Sequence, residues 1–244
     1  MSRGMWCGRF WLRPIEAMPG YTWLLFDADG TLFDFDKAEE RALELVLADL
    51  KQPASESALR SYRAINRELW HGFELGRVTQ AEIKVRRFQL WMEELRVEAD
   101  PDETGHNYVR HLSEQTDLLP GAQELVEMLS EHYRMVIVTN GLKEVQRPRM
   151  QRSSLSPYFE DVIISGELGV AKPDPRFFDA TFARMGHPQR QEVLMVGDSL
   201  SADMQGGIQY GLDTCWCNFR NEQTELSVTH EVTGLDQLAA LLSR

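Results

Sequence analysis

The chain has 244 residues, 43% of them hydrophobic and 26% charged, which is typical of a globular protein with one sizeable domain or a core domain that carries a smaller one. Its formal net charge of −12 argues against a nucleic-acid polymer as partner, because a phosphate backbone binds a basic surface. No stretch approaches the ~18 apolar residues of a membrane-spanning helix, so no membrane partner is expected, whereas a small phosphorylated substrate remains compatible with this charge.

Residues 1–20 are predicted to form a flexible extension. They are basic and aromatic, but Gly, Arg and Pro interrupt their apolar residues, so the stretch lacks the apolar core of a signal peptide. Met18 is an alternative natural start, and we expect that removal of residues 1–17 leaves the activity intact.

Short apolar runs alternate with helical patterns from Trp23 onward. The strand-like runs are 22–27, 134–140, 161–165, 193–198 and 213–218, and the helical stretches between the later ones are 120–131, 143–154, 175–186 and 201–211. Continuous apolar strands separated by helices predict a parallel sheet covered on both faces, a doubly wound α/β fold. The core domain is predicted to comprise 21–35 and 117–244.

The interval 36–116 departs from this alternation and is predicted to be an inserted α-helical cap domain. It contains no strand-like run and indicates three or four helices. Thr79 and Glu82 have the spacing of a capping box, and Asp100-Pro101 is a typical helix start. Because the interval follows the first strand, we expect it to cover the carboxyl end of the sheet.

Cysteine usage indicates a reducing compartment. There are three cysteines, without the spacing of a disulfide framework, so we expect free thiols and a cytoplasmic location. Cys215 and Cys217 share one face of a predicted strand. Two small buried hydrophobic side chains are a simpler interpretation than a redox or metal pair.

Polar residues follow the strands at the points where they end. Alone, each has an ordinary interpretation as a helix cap, a turn former or a solvated charge. Because the carboxyl ends of parallel strands meet at one edge of the sheet, we expect these residues to converge. Clustered carboxylates repel one another unless a cation intervenes, and oxygen ligands suit Mg²⁺. A carboxylate beside such an ion can accept a phosphoryl group. The residues concerned are Asp27, Asp29, Thr139, Asn140, Gly141, Lys172, Asp198 and Asp203.

Four segments in chain order, FDADGTLF, VTNG, GVAKPDP and GDSLSAD, resemble the motifs of the haloacid-dehalogenase-like hydrolase superfamily. The resemblance covers nearly all of the chain from residue 22 onward. It implies a Rossmann-like core with an inserted cap, and a phosphatase that uses Mg²⁺, for which Mn²⁺ can substitute.

The resemblance also implies a role for each matching residue. Asp27 would be the nucleophile, and Asp29 would protonate the leaving oxygen and later deprotonate water. The implied metal ligands are the side chains of Asp27 and Asp198 and the backbone carbonyl of Asp29, with Asp203 supporting them. The implied phosphate-binding residues are Thr139, Asn140, Gly141 and Lys172.

The sequence of the predicted cap indicates which class of substrate the protein binds. The stretch AINRELWHGFELGRVT and the final motif with its TCWCN strand resemble the noncanonical pyrimidine 5′-nucleotidase branch, which implies UMP, dUMP or dTMP as substrate. Asn66 and Trp70 lie four residues apart on one predicted helix face, where an amide and an indole can hydrogen-bond and stack on a pyrimidine. Phe35 is expected to line the entrance. The alternative places Trp70 and Phe73 in the cap's own core.

Three other functions stay open at this point. A dehalogenase needs Asp27 but has no leaving oxygen to protonate, so the acid at Asp29 argues against it. A phosphatase for phosphoglycolate or a sugar phosphate would keep all four motifs. A catalytically silent binding scaffold is disfavoured because Asp27, Asp29, Lys172 and Asp198 are all present.

Overall fold

The structure is a computed structural model that describes residues 20–243, so the predicted flexible extension lies outside the described residues except for Gly20. Its strands are β1 (Trp23–Phe26), β2 (Arg134–Thr139), β3 (Asp161–Ile164), β4 (Val193–Gly197), β5 (Asp213–Cys217) and β6 (His230–Val232). All pair in parallel, in the order β3-β2-β1-β4-β5-β6. The predicted doubly wound α/β fold is confirmed, and β6 is a strand that the sequence did not predict.

Ten α-helices accompany the sheet in the described residues. They are α1 (Phe35–Asp49), α2 (Glu56–Glu74), α3 (Gln80–Leu95), α4 (Pro101–Ser113), α5 (Ala122–Ser130), α6 (Lys143–Arg152), α7 (Ser165–Leu168), α8 (Pro175–Arg184), α9 (Gln205–Tyr210) and α10 (Leu235–Leu242). A π-helical turn, Leu200–Met204, precedes α9. No described helix is both long enough and apolar enough to cross a membrane.

The central strand β1 shows why both faces of the sheet are covered. Successive side chains of a strand point to opposite faces. Leu24 and Phe26 pack into one apolar cluster with α5 and α10, and Trp23 and Leu25 pack into a second with α8. On β5, Cys215 and Cys217 are buried free thiols in the first cluster, as expected for small hydrophobic side chains.

Helices α1–α4, residues 35–113, are here called the helical block. They surround an aromatic cluster in which the Tyr62 ring lies 5.2–5.5 Å from the rings of Phe88, Trp91 and Tyr108. The predicted helix starts are present, since Thr79 and Glu82 form a capping box and Asp100 caps α4 with Pro101 in its first turn. Leu142 and Val145, which lie beyond the block at the start of α6, join the same apolar cluster.

Candidate active site

Lys172 is the buried centre of the candidate site. Its side chain is 1% exposed, and its Nζ donates to Oδ1 of Asp27 at 2.7 Å and to Oδ1 of Asp203 at 2.6 Å. The third hydrogen bond goes to the carbonyl oxygen of Val138 at 2.6 Å. An ammonium group has three donors, so every one of them has an acceptor and the lysine is fixed in position.

Three carboxylates meet beside this lysine. One oxygen from each of Asp27, Asp198 and Asp203 lies within 4.8 Å of the others. Asp203 is fully buried, and its Oδ2 accepts from the backbone N–H of Ser199 at 3.1 Å. The set contains only oxygen donors and is crowded with negative charge, which fits a hard divalent cation such as Mg²⁺.

The electrostatics of this cluster follow from burial. Burial raises the pKa of Asp27 well above its ordinary value; nearby Lys172 opposes that shift, and the neighbouring acids add to it. For Asp198, burial and then repulsion by Asp203 raise the pKa to about 7. Burial on its own would lower the pKa of Lys172, but the charges of Asp203 and Asp27 outweigh it and raise that pKa. Full ionisation of these carboxyl groups is therefore unfavourable in the absence of a further positive charge, and a bound cation would favour it.

The Asp29 carboxylate points to a different set of partners. One oxygen accepts from Nε2 of Gln146 at 2.5 Å, and the other forms an ion pair with Nη1 of Arg149. The Asp29 side chain is 22% exposed, whereas that of Arg149 is fully buried. Asp29 is thus oriented by α6 and still reachable by a bound molecule.

Hydrogen bonds join the end of β2 to the loop after β3 that carries Lys172. The side-chain amide of Asn140 donates to the backbone carbonyl of Lys172 at 2.8 Å and accepts from the backbone N–H of Lys172 at 2.9 Å. The backbone N–H of Gly141 donates to Oγ1 of Thr139 at 3.0 Å. The side chain of Asn140 therefore holds the Lys172 loop, and the Thr139 hydroxyl keeps its proton for another acceptor.

The three residues predicted to contact the substrate differ in burial and in hydrogen bonding. Phe35 and Trp70 are partly buried against the apolar cluster of the helical block, and Trp70 packs edge-on against Phe73 with 5.5 Å between the ring centres. Asn66 is 6% exposed, and its amide donates to Glu39 at 3.1 Å and accepts from Arg87 at 3.2 Å. The amide of Asn66 is therefore engaged within the helical block, whereas Phe35 and Trp70 keep part of their surface exposed.

Polar contacts join the helical block to the site. Glu74 accepts from Oγ of Ser201 at 2.8 Å, and Nε2 of Gln80 donates to the carbonyl oxygen of Asn140 at 2.8 Å. The block therefore lies against two of the loops that carry predicted site residues.

Gln146 and Arg149 are members of the site that the sequence did not predict. One signal was available: both lie on the predicted helix 143–154, on the side that carries the apolar Val145 and Met150. Polar side chains on a buried helix face need partners, and here the partner is Asp29.

The chain is similar to known hydrolases in sequence and in fold. The family model for haloacid dehalogenase-like hydrolases matches residues 21–211. The chain is 36% identical to the pyrimidine 5′-nucleotidase YjjG of Escherichia coli over 92% of this chain and 99% of the relative. It is 34% identical to the pyrimidine 5′-nucleotidase PynA of Streptococcus pneumoniae over 92% and 96%, respectively. The crystal structure of the hydrolase YfnB from Bacillus subtilis, bound to magnesium, superposes with a TM-score of 0.87 at 36% identity and covers 92% of this chain and 100% of YfnB.

Proposed function

The chain belongs to the haloacid dehalogenase-like hydrolases and is a phosphatase, and on that basis we propose that it hydrolyses pyrimidine nucleoside 5′-monophosphates through a phosphoryl-aspartate on Asp27. The observation that carries the mechanism is the Lys172 ammonium between two buried carboxylates, with Asp198 beside them. This arrangement places a nucleophile, a fixed positive charge and a set of oxygen ligands within one small volume.

Mg²⁺ fits the donor set of the site. Asp27 and Asp198 would hold the ion, with Asp203 supporting them, because all three offer carboxylate oxygens to a common point. When bound, the ion supplies positive charge that offsets the charge of the phosphoryl group. Mn²⁺ accepts the same oxygen ligands and should substitute for it.

In the first step, a carboxylate oxygen of Asp27 forms a bond to phosphorus while the ester P–O bond breaks. Lys172 stabilises the negative charge shared between the nucleophile and the phosphoryl oxygens, since its Nζ already lies 2.7 Å from Asp27. Asp29 gives a proton to the departing oxygen, so that the nucleoside leaves as a neutral alcohol. Thr139 and the backbone N–H of Asn140 are proposed to bind phosphoryl oxygens.

In the second step, Asp29 takes a proton from water, and that water attacks phosphorus. The bond between phosphorus and Asp27 breaks, inorganic phosphate leaves, and both aspartates return to their starting states. One residue can serve as acid and then as base because the first step leaves it without its proton.

The substrate class rests on the helical block. Both pyrimidine nucleotidase relatives align over nearly the whole chain and not only over the motifs. Phe35 and Trp70 offer aromatic surface at the partly buried edge of the block. We propose that they pack against the nucleobase, while Asn66 supports the block from inside.

Phosphate release from a panel of monophosphates tests this function. UMP, dUMP and dTMP should have higher kcat/KM than AMP, GMP, phosphoglycolate and sugar phosphates, and EDTA should abolish the reaction until Mg²⁺ or Mn²⁺ is added. Ca²⁺ should not restore it, because its larger and looser coordination shell disturbs in-line attack. A preference for purine nucleotides or sugar phosphates would overturn the substrate class, and full activity in excess chelator would overturn the role of the metal.

Replacement of the nucleophile tests the covalent step. Asp27→Asn should abolish turnover and also labelling of the protein by a radioactive phosphoryl donor. Wild-type turnover by this variant would show that the covalent mechanism is wrong.

A further inference from the structure

Two side chains from one helix bind both oxygens of the Asp29 carboxylate. Gln146 Nε2 donates to Oδ2 at 2.5 Å, and Arg149 Nη1 pairs with Oδ1. We propose that Arg149 and Gln146 are positioning residues that hold the Asp29 carboxyl group in the orientation from which its protonated form gives a proton to the leaving oxygen and its ionised form then takes one from water. The proposal rests on the role given to Asp29 under the proposed function.

The burial of Arg149 makes this pairing specific. Its side chain is fully buried, and within residues 20–243 its one ion pair is with Asp29. A buried guanidinium is unfavourable without a charged partner, so Arg149 and Asp29 constrain each other. The guanidinium carbon of Arg149 lies 5.4 Å from the centre of the Phe33 ring, over its face, so this ring packs beside the ion pair.

The absence of a side chain at Gly141 allows the Gln146 amide to reach Asp29. A Cβ atom at residue 141 would lie 2.3 Å from Nε2 of Gln146, which is the atom that donates to Asp29. The glycine of the second motif therefore leaves the space through which Gln146 reaches the carboxylate.

Arg149 also contacts the helical block, so its role could instead be to link α6 to that block. Its Nη2 donates to the carbonyl oxygen of Leu112 at 3.4 Å, near the end of α4. Arg152, one turn further along α6, donates to the carbonyl oxygen of Ser113 at 3.2 Å. Arg152 thus makes the same kind of link to the block, but no contact with Asp29 is found for it among the described residues. It is the matched control for Arg149.

The test measures how kcat/KM depends on the leaving group in Arg149→Met, Gln146→Leu and the control Arg152→Met. The substrates form a series from 4-nitrophenyl phosphate through phenyl phosphate to an alkyl phosphate, so the outcome does not depend on a nucleotide preference. A poor leaving group needs a proton, whereas nitrophenolate departs without one. We expect Arg149→Met to lose about 10- to 100-fold on the alkyl ester but less than about threefold on 4-nitrophenyl phosphate. Gln146→Leu should show the same trend with a smaller loss, and Arg152→Met should match the wild type.

A double-mutant cycle separates positioning from a general loss of structure. If Arg149 acts through Asp29, Asp29→Asn combined with Arg149→Met should be no slower on the alkyl ester than Asp29→Asn alone. Arg149→Lys keeps the charge and should recover part of the loss, and it replaces Arg149→Met in the cycle if thermal unfolding shows that the methionine variant is not folded.

Equal losses on all leaving groups, or additive effects in the cycle, would overturn the proposal and leave Arg149 as a structural link. The outcomes are distinguishable from failure of the proposed function. If the wild-type protein hydrolyses none of these esters, the phosphatase assignment itself falls. If it hydrolyses them but the dependence on the leaving group is unchanged in Arg149→Met, only the positioning role falls.

Discussion

Nζ of Lys172 lies 2.7 Å from Oδ1 of Asp27, at a place where the lysine side chain is 1% exposed and the aspartate side chain 11%. A buried ammonium beside a nucleophilic carboxylate is both a catalytic and a structural feature, since neither charge is well solvated without the other.

Lys172→Met should reduce kcat by about 10²–10³-fold, because it removes a fixed positive charge from the transition state. It should also lower the free energy of unfolding, since Asp27 and Asp203 lose the cation that both now contact. The measurements are steady-state kinetics and urea unfolding.

The control is Lys37→Met. Lys37 also pairs with an aspartate, Asp117, but its side chain is 47% exposed. An exposed pair contributes little, so this variant should keep wild-type activity and lose less than about 1 kcal/mol. If the two variants behaved alike, Lys172 would have no special role.

The stability of the metal-free protein should depend on pH through Asp198. Its pKa is raised from 3.8 to about 7, so between these values the folded state keeps a proton that the unfolded state releases. The free energy of unfolding of the protein in EDTA should therefore fall, on the order of 1–3 kcal/mol, as the pH rises from 5 to 8. Thermal unfolding at several pH values measures this.

Two comparisons isolate the contribution of Asp198 to that slope. Asp198→Asn has no carboxyl group to titrate and should show a flatter dependence on pH. Added Mg²⁺ should raise the Tm of the wild type more at pH 8 than at pH 5, because protons compete with the metal. The idea fails if Asp198→Asn keeps the wild-type slope.

Asn66 and Trp70, predicted together as substrate contacts, should give different phenotypes. Asn66→Ala leaves Glu39 and Arg87 without the amide between them, so it should destabilise the protein by about 1–3 kcal/mol. Trp70 lies one helical turn before Glu74, and Glu74 accepts a hydrogen bond from Ser201 beside the site. Because we propose that Trp70 packs against the nucleobase, Trp70→Leu should raise KM for UMP and leave KM for 4-nitrophenyl phosphate nearly unchanged. If Asn66→Ala were as stable as the wild type and selectively raised KM for UMP, it would be the substrate contact instead.

The strands of the sheet and the polar residues at their ends could be predicted because each strand is a short apolar run that can be recognised from neighbouring residues. Apolar runs define β1, β2 and β4, and polar residues follow where those runs stop, so Asp27, Thr139 and Asp198 could be placed from the chain alone. Strand β6 escaped prediction because three residues, His230–Val232, are too few to show a period.

The partners of Asp29 and Asn66 could not be predicted for a different reason. Gln146 and Arg149 are 117 and 120 residues from Asp29 in the chain. Their contact depends on how α6 packs against the first motif, and no local pattern encodes that approach. The same holds for the Asn66 amide, whose partners Glu39 and Arg87 lie on two other helices of the block.

Gly30 and Gly121 are two glycines with nearly the same positive φ angle but different surroundings. Their φ angles are +81° and +84°, so an alanine at either position is strained to a similar degree. At Gly30 a Cβ atom would lie 2.5 Å from Oδ2 of Asp198, whereas at Gly121 it would meet nothing within 4 Å. Both variants should lose about 1–2 kcal/mol of stability from backbone strain. Gly30→Ala alone should displace Asp198, and it should therefore raise the Mg²⁺ concentration needed for half-maximal activity and reduce the increase in Tm that Mg²⁺ causes. If Gly121→Ala weakened the response to Mg²⁺ as much as Gly30→Ala does, the effect would belong to backbone strain and the contact between Gly30 and Asp198 would have no part in metal binding.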